Sequence, residues 1–208
     1  FELGGRRVDR LTATKAVASD FISRRKGDRI GLILFGEQAY LQVPLTLDRE
    51  TVKILLLESF IGLAGEKTAI GDARTLAVKR IYDQEQTATE QVLVLLTDGA
   101  NTAGEIDPLK AAELAQNIGL RIYTIGIGAD QMVVSSLTGG LRRVNPSADL
   151  DEKTLQNIAE ITGGRYFRAK DTAALQAIYR LLDDIEPVPE PEAGFRPVQP
   201  YFFWPLGA

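Results

Sequence analysis

The sequence predicts an α/β fold: a doubly wound, mostly parallel sheet with one short antiparallel edge strand and helices on both faces. Three observations predict it. Apolar, β-branched runs alternate along the chain with segments of helical period, the pattern of βαβ units. One run, Gln91-Val-Leu-Val-Leu-Leu-Thr97, is almost unbroken and reads as a strand buried on both faces. It ends in Thr97-Asp98-Gly99, and a carboxylate closing a buried parallel strand is how an open α/β sheet presents a ligand-binding group at its carboxyl edge. An Asp-Gly pair is also an ordinary turn. The functional reading therefore needs a second segment, Lys67-Thr-Ala-Ile-Gly-Asp-Ala73, to meet the first.

Residues 8–25 place Val8, Leu11, Lys15, Val17, Ala18, Phe21 and Ile22 near one helical face, so a helix is expected there. Gly27-Asp28 breaks it, and Arg29 to Phe35 follows as a buried strand. Ala39 to Val43 reads as its shorter neighbour across a tight turn, and Pro44 makes that neighbour an edge strand. Asp48 caps a helix over 49–60, and another helix runs from Ala69 to about Asp83. The polar stretch 84–90 is a loop before the strand 91–97. Asp107-Pro108 is a cap followed by proline at the first helical position, and that helix ends at Gly119, a left-handed terminator. Arg121 to Gly128 is a β-rich run, and 129–150 is a looser segment. A helix opens at Asp151-Glu152 and stops at Gly163-Gly164, Arg165 to Arg168 is a short strand, and Asp171 caps a last helix to about Ile185.

The domain is expected to span 1–186. A Pro-rich, acidic spacer over 187–199 should be extended rather than packed. Residues 200–208 then bring Tyr201-Phe-Phe-Trp204, the kind of aromatic cluster that precedes a membrane span at the interface. The alternative is a tail that folds back onto the domain. Opening on Phe1 and stopping after these aromatics, the sequence reads as a piece of a longer protein.

Composition removes whole classes of chemistry. The 208 residues contain no cysteine and no histidine, so Ser-His-Asp, Cys-His and HExxH catalysis and zinc-thiolate sites are excluded on this chain. Any metal must be held by oxygen, which means a hard cation such as Mg²⁺, Ca²⁺ or Mn²⁺. A net charge of −4 without basic runs argues against nucleic acid. No stretch reaches the about 20 apolar residues of a membrane span.

Thr68 precedes the helix at Ala69, so its hydroxyl is an N-cap or, at the carboxyl edge shared with Asp98, an oxygen ligand of the same cation. Thr68-Ala-Ile-Gly-Asp-Ala, Leu95-Leu-Thr-Asp-Gly and Tyr123-Thr-Ile-Gly-Ile-Gly together resemble a von Willebrand factor type A domain. Closer still, the chain resembles the membrane-anchored members encoded in bacterial aerotolerance (Bat) operons. The further motifs are Arg25-Lys-Gly-Asp-Arg-Ile-Gly-Leu, Pro44-Leu-Thr-Leu-Asp48, Asp151-Glu-x-x-Leu155 and Thr162-Gly-Gly-x-Tyr-Phe167.

The resemblance implies a metal-ion-dependent adhesion site built from an Asp-x-Ser-x-Ser motif, a Thr and a later Asp. Thr68 matches the Thr and Asp98 the Asp, while the Asp-x-Ser-x-Ser motif, which in the family follows the first strand, is not in this sequence, so the domain over 1–186 is expected to lack that central first strand. Weak or absent Mg²⁺ binding by this chain is the expectation, with Asp72, Gly99 and Asn101 as a possible rim. The implied function is a protein-binding module whose partner supplies a Glu or Asp to the metal. The implied partners are a MoxR-type AAA+ ATPase and sister von Willebrand A proteins, in a bacterial stress-tolerance role beside the membrane. Two alternatives stay open: a metal-independent scaffold, and a Mg²⁺-dependent phosphohydrolase using Asp98. The residues after Asp98 lack the basic phosphate clamp an enzyme of that kind would want.

Overall fold

The computed structural model describes residues 1–3, 6–37, 39–59, 70–71, 75–77, 79, 91–99, 107–128, 132–135, 141–144 and 150–187. Its elements run β1 (Glu2–Leu3), β2 (Arg6–Arg7), α1 (Arg10–Arg24), β3 (Ile30–Phe35), β4 (Ala39–Thr46), α2 (Arg49–Glu58) and β5 (Gln91–Thr97). There follow α3 (Pro108–Asn117), β6 (Leu120–Ile127), β7 (Met132–Ser135), β8 (Leu141–Val144), α4 (Glu152–Ile161), β9 (Tyr166–Ala169) and α5 (Thr172–Ile185). Residues 70, 71, 75–77 and 79 are also helical, and Thr75 donates its hydroxyl to the Gly71 carbonyl at 3.0 Å within that turn.

Each of the five labelled helices starts from an aspartate whose carboxylate accepts a first-turn backbone N–H: Asp9, Asp48, Asp107, Asp151 and Asp171. Three of them repeat one pattern, Asp followed three residues later by Thr. The second carboxylate oxygen of Asp9, Asp48 and Asp151 accepts from the hydroxyl of Thr12, Thr51 and Thr154, at 2.5, 2.6 and 2.6 Å. These hydroxyl bonds, reinforced by the backbone N–H, hold all three carboxyls below their usual range. The Asp9 cap also corrects the expected start of the first helix: Val8 lies ahead of the cap.

The parallel sheet is β5-β6-β9, with β6 in the middle. β3 and β4 form a separate antiparallel pair, and so do the short hairpins β1-β2 and β7-β8. The expected single sheet is thus divided: among the described residues β3 and β5 each have a hydrogen-bonded strand on one edge only. β4 reaches Thr46 and so runs through Pro44, where the β3–β4 register slips between Ile30 and Leu32. Proline has no N–H to give the ladder, so an irregular edge is where a strand tolerates it. The segment 129–150, expected to be loose, contains β7 and β8, each too short for a periodicity signal.

Three apolar clusters hold these layers. Tyr123, Ile125 and Ile127 of β6 pack with Val17 of α1 and Leu175, Tyr179 and Leu182 of α5. On the other face, Leu120 and Ile122 pack with Ala112 and Ala115 of α3 and Leu155 and Ile158 of α4, together with Ile70 and Leu95. Ile22, Val43, Val52 and Leu56 bind α1 and α2 to the β3–β4 pair. Helices therefore cover both faces of the parallel sheet, as a doubly wound fold requires. β6 is buried along almost its whole length, but β5 is not: only Leu95 and Thr97 are buried and Val92 is 38% exposed. The expectation of a strand at 91–97 buried on both faces is corrected here: among the described residues β5 has a strand neighbour on one edge only, and most of its positions are half-buried.

Gly119 terminates α3 with φ of +73°, as the sequence suggests. The Gly163-Gly164 pair divides two tasks. Gly163 takes the left-handed φ of +73°, while Gly164 lies so near β6 that a Cβ there would stand 2.0 Å from the Ile122 carbonyl oxygen. Beside them the buried Thr162 hydroxyl accepts from the Ile122 N–H at 3.1 Å and donates to the Ile158 carbonyl at 2.9 Å, tying α4 to β6. Among the described residues no helix is long and apolar enough to cross a membrane. The expected spacer from residue 188 onward and the aromatic segment 200–208 lie outside the described residues.

Candidate functional site

Two ends of the sheet differ in what charge they hold. At the amino edge, Glu186 follows α5 with 7% of its surface exposed. Its carboxylate accepts from the Tyr123 hydroxyl at 2.6 Å and pairs with Arg121, while its backbone carbonyl accepts from Arg25. Arg25 also meets Asp28 at 2.6 Å, and Arg24 meets Asp183 at 2.8 Å. Burial, with the adjacent Glu186 carboxylate, raises the Tyr123 hydroxyl above its ordinary range. Every charge in this group has an opposite partner, so its role is to fasten α1 and α5 to the start of β6.

The carboxyl edge is sparser. β5 ends at the buried Thr97, whose hydroxyl oxygen accepts from the Gly99 N–H at 3.3 Å and lies 3.2 Å from the Gly99 carbonyl oxygen. Such a Thr-anchored turn folds the backbone sharply at the strand end. Asp98, between the two, keeps a side chain 59% exposed. Its carboxylate is met by one described cation, Arg10 in the first turn of α1, with Nη1 to Oδ2 at 3.3 Å and the Arg10 side chain 39% exposed. The acid next to Arg10, Asp9, is spent on capping: its oxygens accept from Thr12 N–H at 2.8 Å and the Thr12 hydroxyl at 2.5 Å.

Of the residues the sequence singles out, Asp98 and Gly99 stand together at the end of β5. Thr68, Asp72 and Asn101 lie outside the described residues. Among the described residues no three acidic side chains come together in a group able to hold a metal ion. A hard divalent cation wants about six oxygen ligands. The described donors here are one carboxylate with a guanidinium against it, and on their own they do not fit such a cation. Sequence reasoning missed Arg10. Its contact with Asp98 depends on how α1 docks, which no local spacing encodes.

The geometry has relatives. The profile of the von Willebrand factor type A domain matches residues 8–181. An uncharacterized protein of Borreliella burgdorferi is 32% identical over 171 residues, covering 81% of this chain and 50% of that protein. BatB, a conserved hypothetical protein from Bacteroides thetaiotaomicron, superposes with a TM-score of 0.67 at 25% identity, over 85% of this chain and 88% of its own. An aerotolerance-related membrane protein from Bacteroides fragilis shares the fold with a TM-score of 0.69 at 24% identity, over 86% and 89% of the two chains. The chain spans about half the length of the curated relatives it matches, 50% and 56% of the first two. With the profile covering most of its length, the α/β architecture and the Asp98 strand end in place, the chain belongs to the von Willebrand factor type A domain family.

Proposed function

We propose that the domain is a protein-interaction module of a membrane-anchored bacterial protein of the Bat type, and that it meets its partner at the carboxyl edge around Asp98. One observation carries this reading. Asp98 is an exposed carboxylate held by a tight turn at the end of a parallel strand, the place where open α/β sheets bind ligands. Family membership and the likeness to BatB support it. The chain has no histidine or cysteine to serve as general base or nucleophile, which fits binding better than catalysis.

The reading includes a divalent cation, Mg²⁺ with Mn²⁺ or Ca²⁺ as substitutes, with Thr68 and Asp98 among its oxygen donors. The described residues alone do not complete its coordination, so its remaining donors are proposed to come from outside them. Two carboxylates repel at contact distance. A partner presenting Glu or Asp to Asp98 therefore needs a cation between them, and cation dependence is what an experiment must read. The proposed partners are a MoxR-type AAA+ ATPase and sister von Willebrand A proteins, with the domain beside the membrane.

Binding of the purified ATPase, measured by interferometry in Mg²⁺ and in EDTA, tests this. Asp98→Ala and EDTA should each weaken binding by at least about tenfold, as for a charged pair removed from an interface. Binding that survives both treatments would leave a metal-independent scaffold in place of the adhesion-type module.

A further inference from the structure

The arginines of this domain differ in how many carboxylates each one holds. At the amino edge Arg24 lies between Asp20 of α1 and Asp183 of α5, with Nε 2.8 Å from Asp183. Arg25 lies between Asp28 and the same Asp183, at 2.6 and 3.6 Å. Each of these guanidiniums bridges two acids from different segments. Arg10 sits at the carboxyl edge, and among the described residues its one ionic partner is Asp98, met through Nη1 at 3.3 Å. A guanidinium carries five N–H donors in a planar fork, so that contact leaves Nε and Nη2 outside it. The neighbouring acid, Asp9, has both oxygens engaged by Thr12, and the Arg10 side chain is 39% exposed.

We propose that Arg10 is a half-filled bridge: it receives an acidic side chain of the docking partner directly, beside Asp98. This rests on the reading of the Asp98 edge as the docking site for an acidic partner. The contact does not use the ion of that reading, so it persists in EDTA. Two carboxylates at contact distance repel, and a guanidinium between them supplies the opposite charge from within the chain. Its parallel N–H donors match the two oxygens of a carboxylate, a geometry that a lysine ammonium does not reproduce. The edge thereby selects Glu or Asp over Gln or Asn. Arg10 and Asp98 are both exposed, so the contact is modest and weakens as salt screens it.

The probe is a blocked Gly-Glu-Gly tripeptide, with Gly-Gln-Gly as control, titrated into the whole chain in EDTA. Binding is followed by NMR at the Arg10 Nε–H and the Gly99 N–H. The Glu peptide should shift both signals and the Gln peptide neither. Read at Gly99, Arg10→Gln should weaken the Glu peptide about two- to fivefold, the range an exposed ion pair supplies. Arg10→Lys, which retains the charge without the fork, should fall between that variant and wild type. A merely structural Arg10 would show no preference for Glu over Gln. Undiminished Glu-peptide shifts at Gly99 in Arg10→Gln would overturn the Arg10 contact and leave the docking site standing. Shifts that need Mg²⁺ and vanish in Asp98→Asn would also overturn it, in favour of the ion. No shift at this edge in either buffer would overturn both.

Discussion

β5 and β6 are neighbouring apolar strands in register from Gln91–Leu120 to Thr97–Gly126, and they have opposite fates. β6 lies between β5 and β9 and is buried at every position but Arg121. β5 has one described partner, is mostly half-buried, and ends in an exposed carboxylate. Their compositions hardly differ, so composition does not decide burial; strand position does. The strand with two described neighbours anchors the domain, and the strand with one carries the candidate site.

The harshest way to break this contrast strikes β6 from outside. In Gly164→Ala the new Cβ would stand 2.0 Å from the Ile122 carbonyl oxygen, and that oxygen is backbone. Relief requires α4 and β6 to part, at a cost of about 3 kcal/mol or more. Gly163→Ala meets nothing within reach and strains only a φ of +73°, at about 1–2 kcal/mol. Urea titrations compare the two midpoints. A Gly163 variant the weaker of the pair would contradict the close approach of α4 to β6.

A direct comparison uses one register pair. Ile125 of β6 and Leu96 of β5 face each other in the ladder and belong to the same apolar cluster. Ile125 is fully buried and Leu96 is half-buried. Ile125→Ala should cost about 4 kcal/mol and Leu96→Ala about 2 kcal/mol, because less apolar contact is lost and solvent fills the gap more readily. Equal losses would mean that β5 is as enclosed as β6.

Alkaline pH probes both faces of the sheet around β6. Burial raises the hydroxyls of Tyr123 on β6 and Tyr179 on α5, and pushes that of Tyr166 on β9 up to about 12. β5 has no tyrosine. The neutral form belongs to the native state and these folded values stand above the unfolded one. Their contribution is complete below about pH 10 and is lost as pH rises through the folded values. The urea midpoint should therefore fall above about pH 10, and Tyr166→Phe should make that fall shallower. An unchanged slope in the variant would mean that Tyr166 is not enclosed by β6 and α4.

Much of this was legible in the sequence because it is local. The caps at Asp48, Asp107, Asp151 and Asp171, the Gly119 stop and the strand at 91–97 each rest on chemistry within a few residues. The Asp9 cap has the same Asp-x-x-Thr spacing as Asp48-Thr51 and Asp151-Thr154, yet the helical face reads from Val8, one residue ahead of it. What the sequence could not show was contact set by docking. The pairing of β5 with β6, the Glu186 fastening to Arg121 and Tyr123, and the Arg10–Asp98 pair all join segments far apart in the chain. The candidate residue Asp98 was readable, and the Arg10 that meets it was not.

The smallest expected stability effect falls where the functional one should be largest. The Asp98 side chain is 59% exposed and its described ion pair is with the partly exposed Arg10, so solvent screens most of their attraction. Asp98→Ala should therefore shift folding stability by no more than about 0.5 kcal/mol. A carboxylate kept at a strand end without stabilising the fold is available for a partner or an ion. A loss above about 1.5 kcal/mol would show that Asp98 serves the turn or the docking of α1. The argument for a site at this edge would then lose its footing, since a structural acid needs no ligand to explain it.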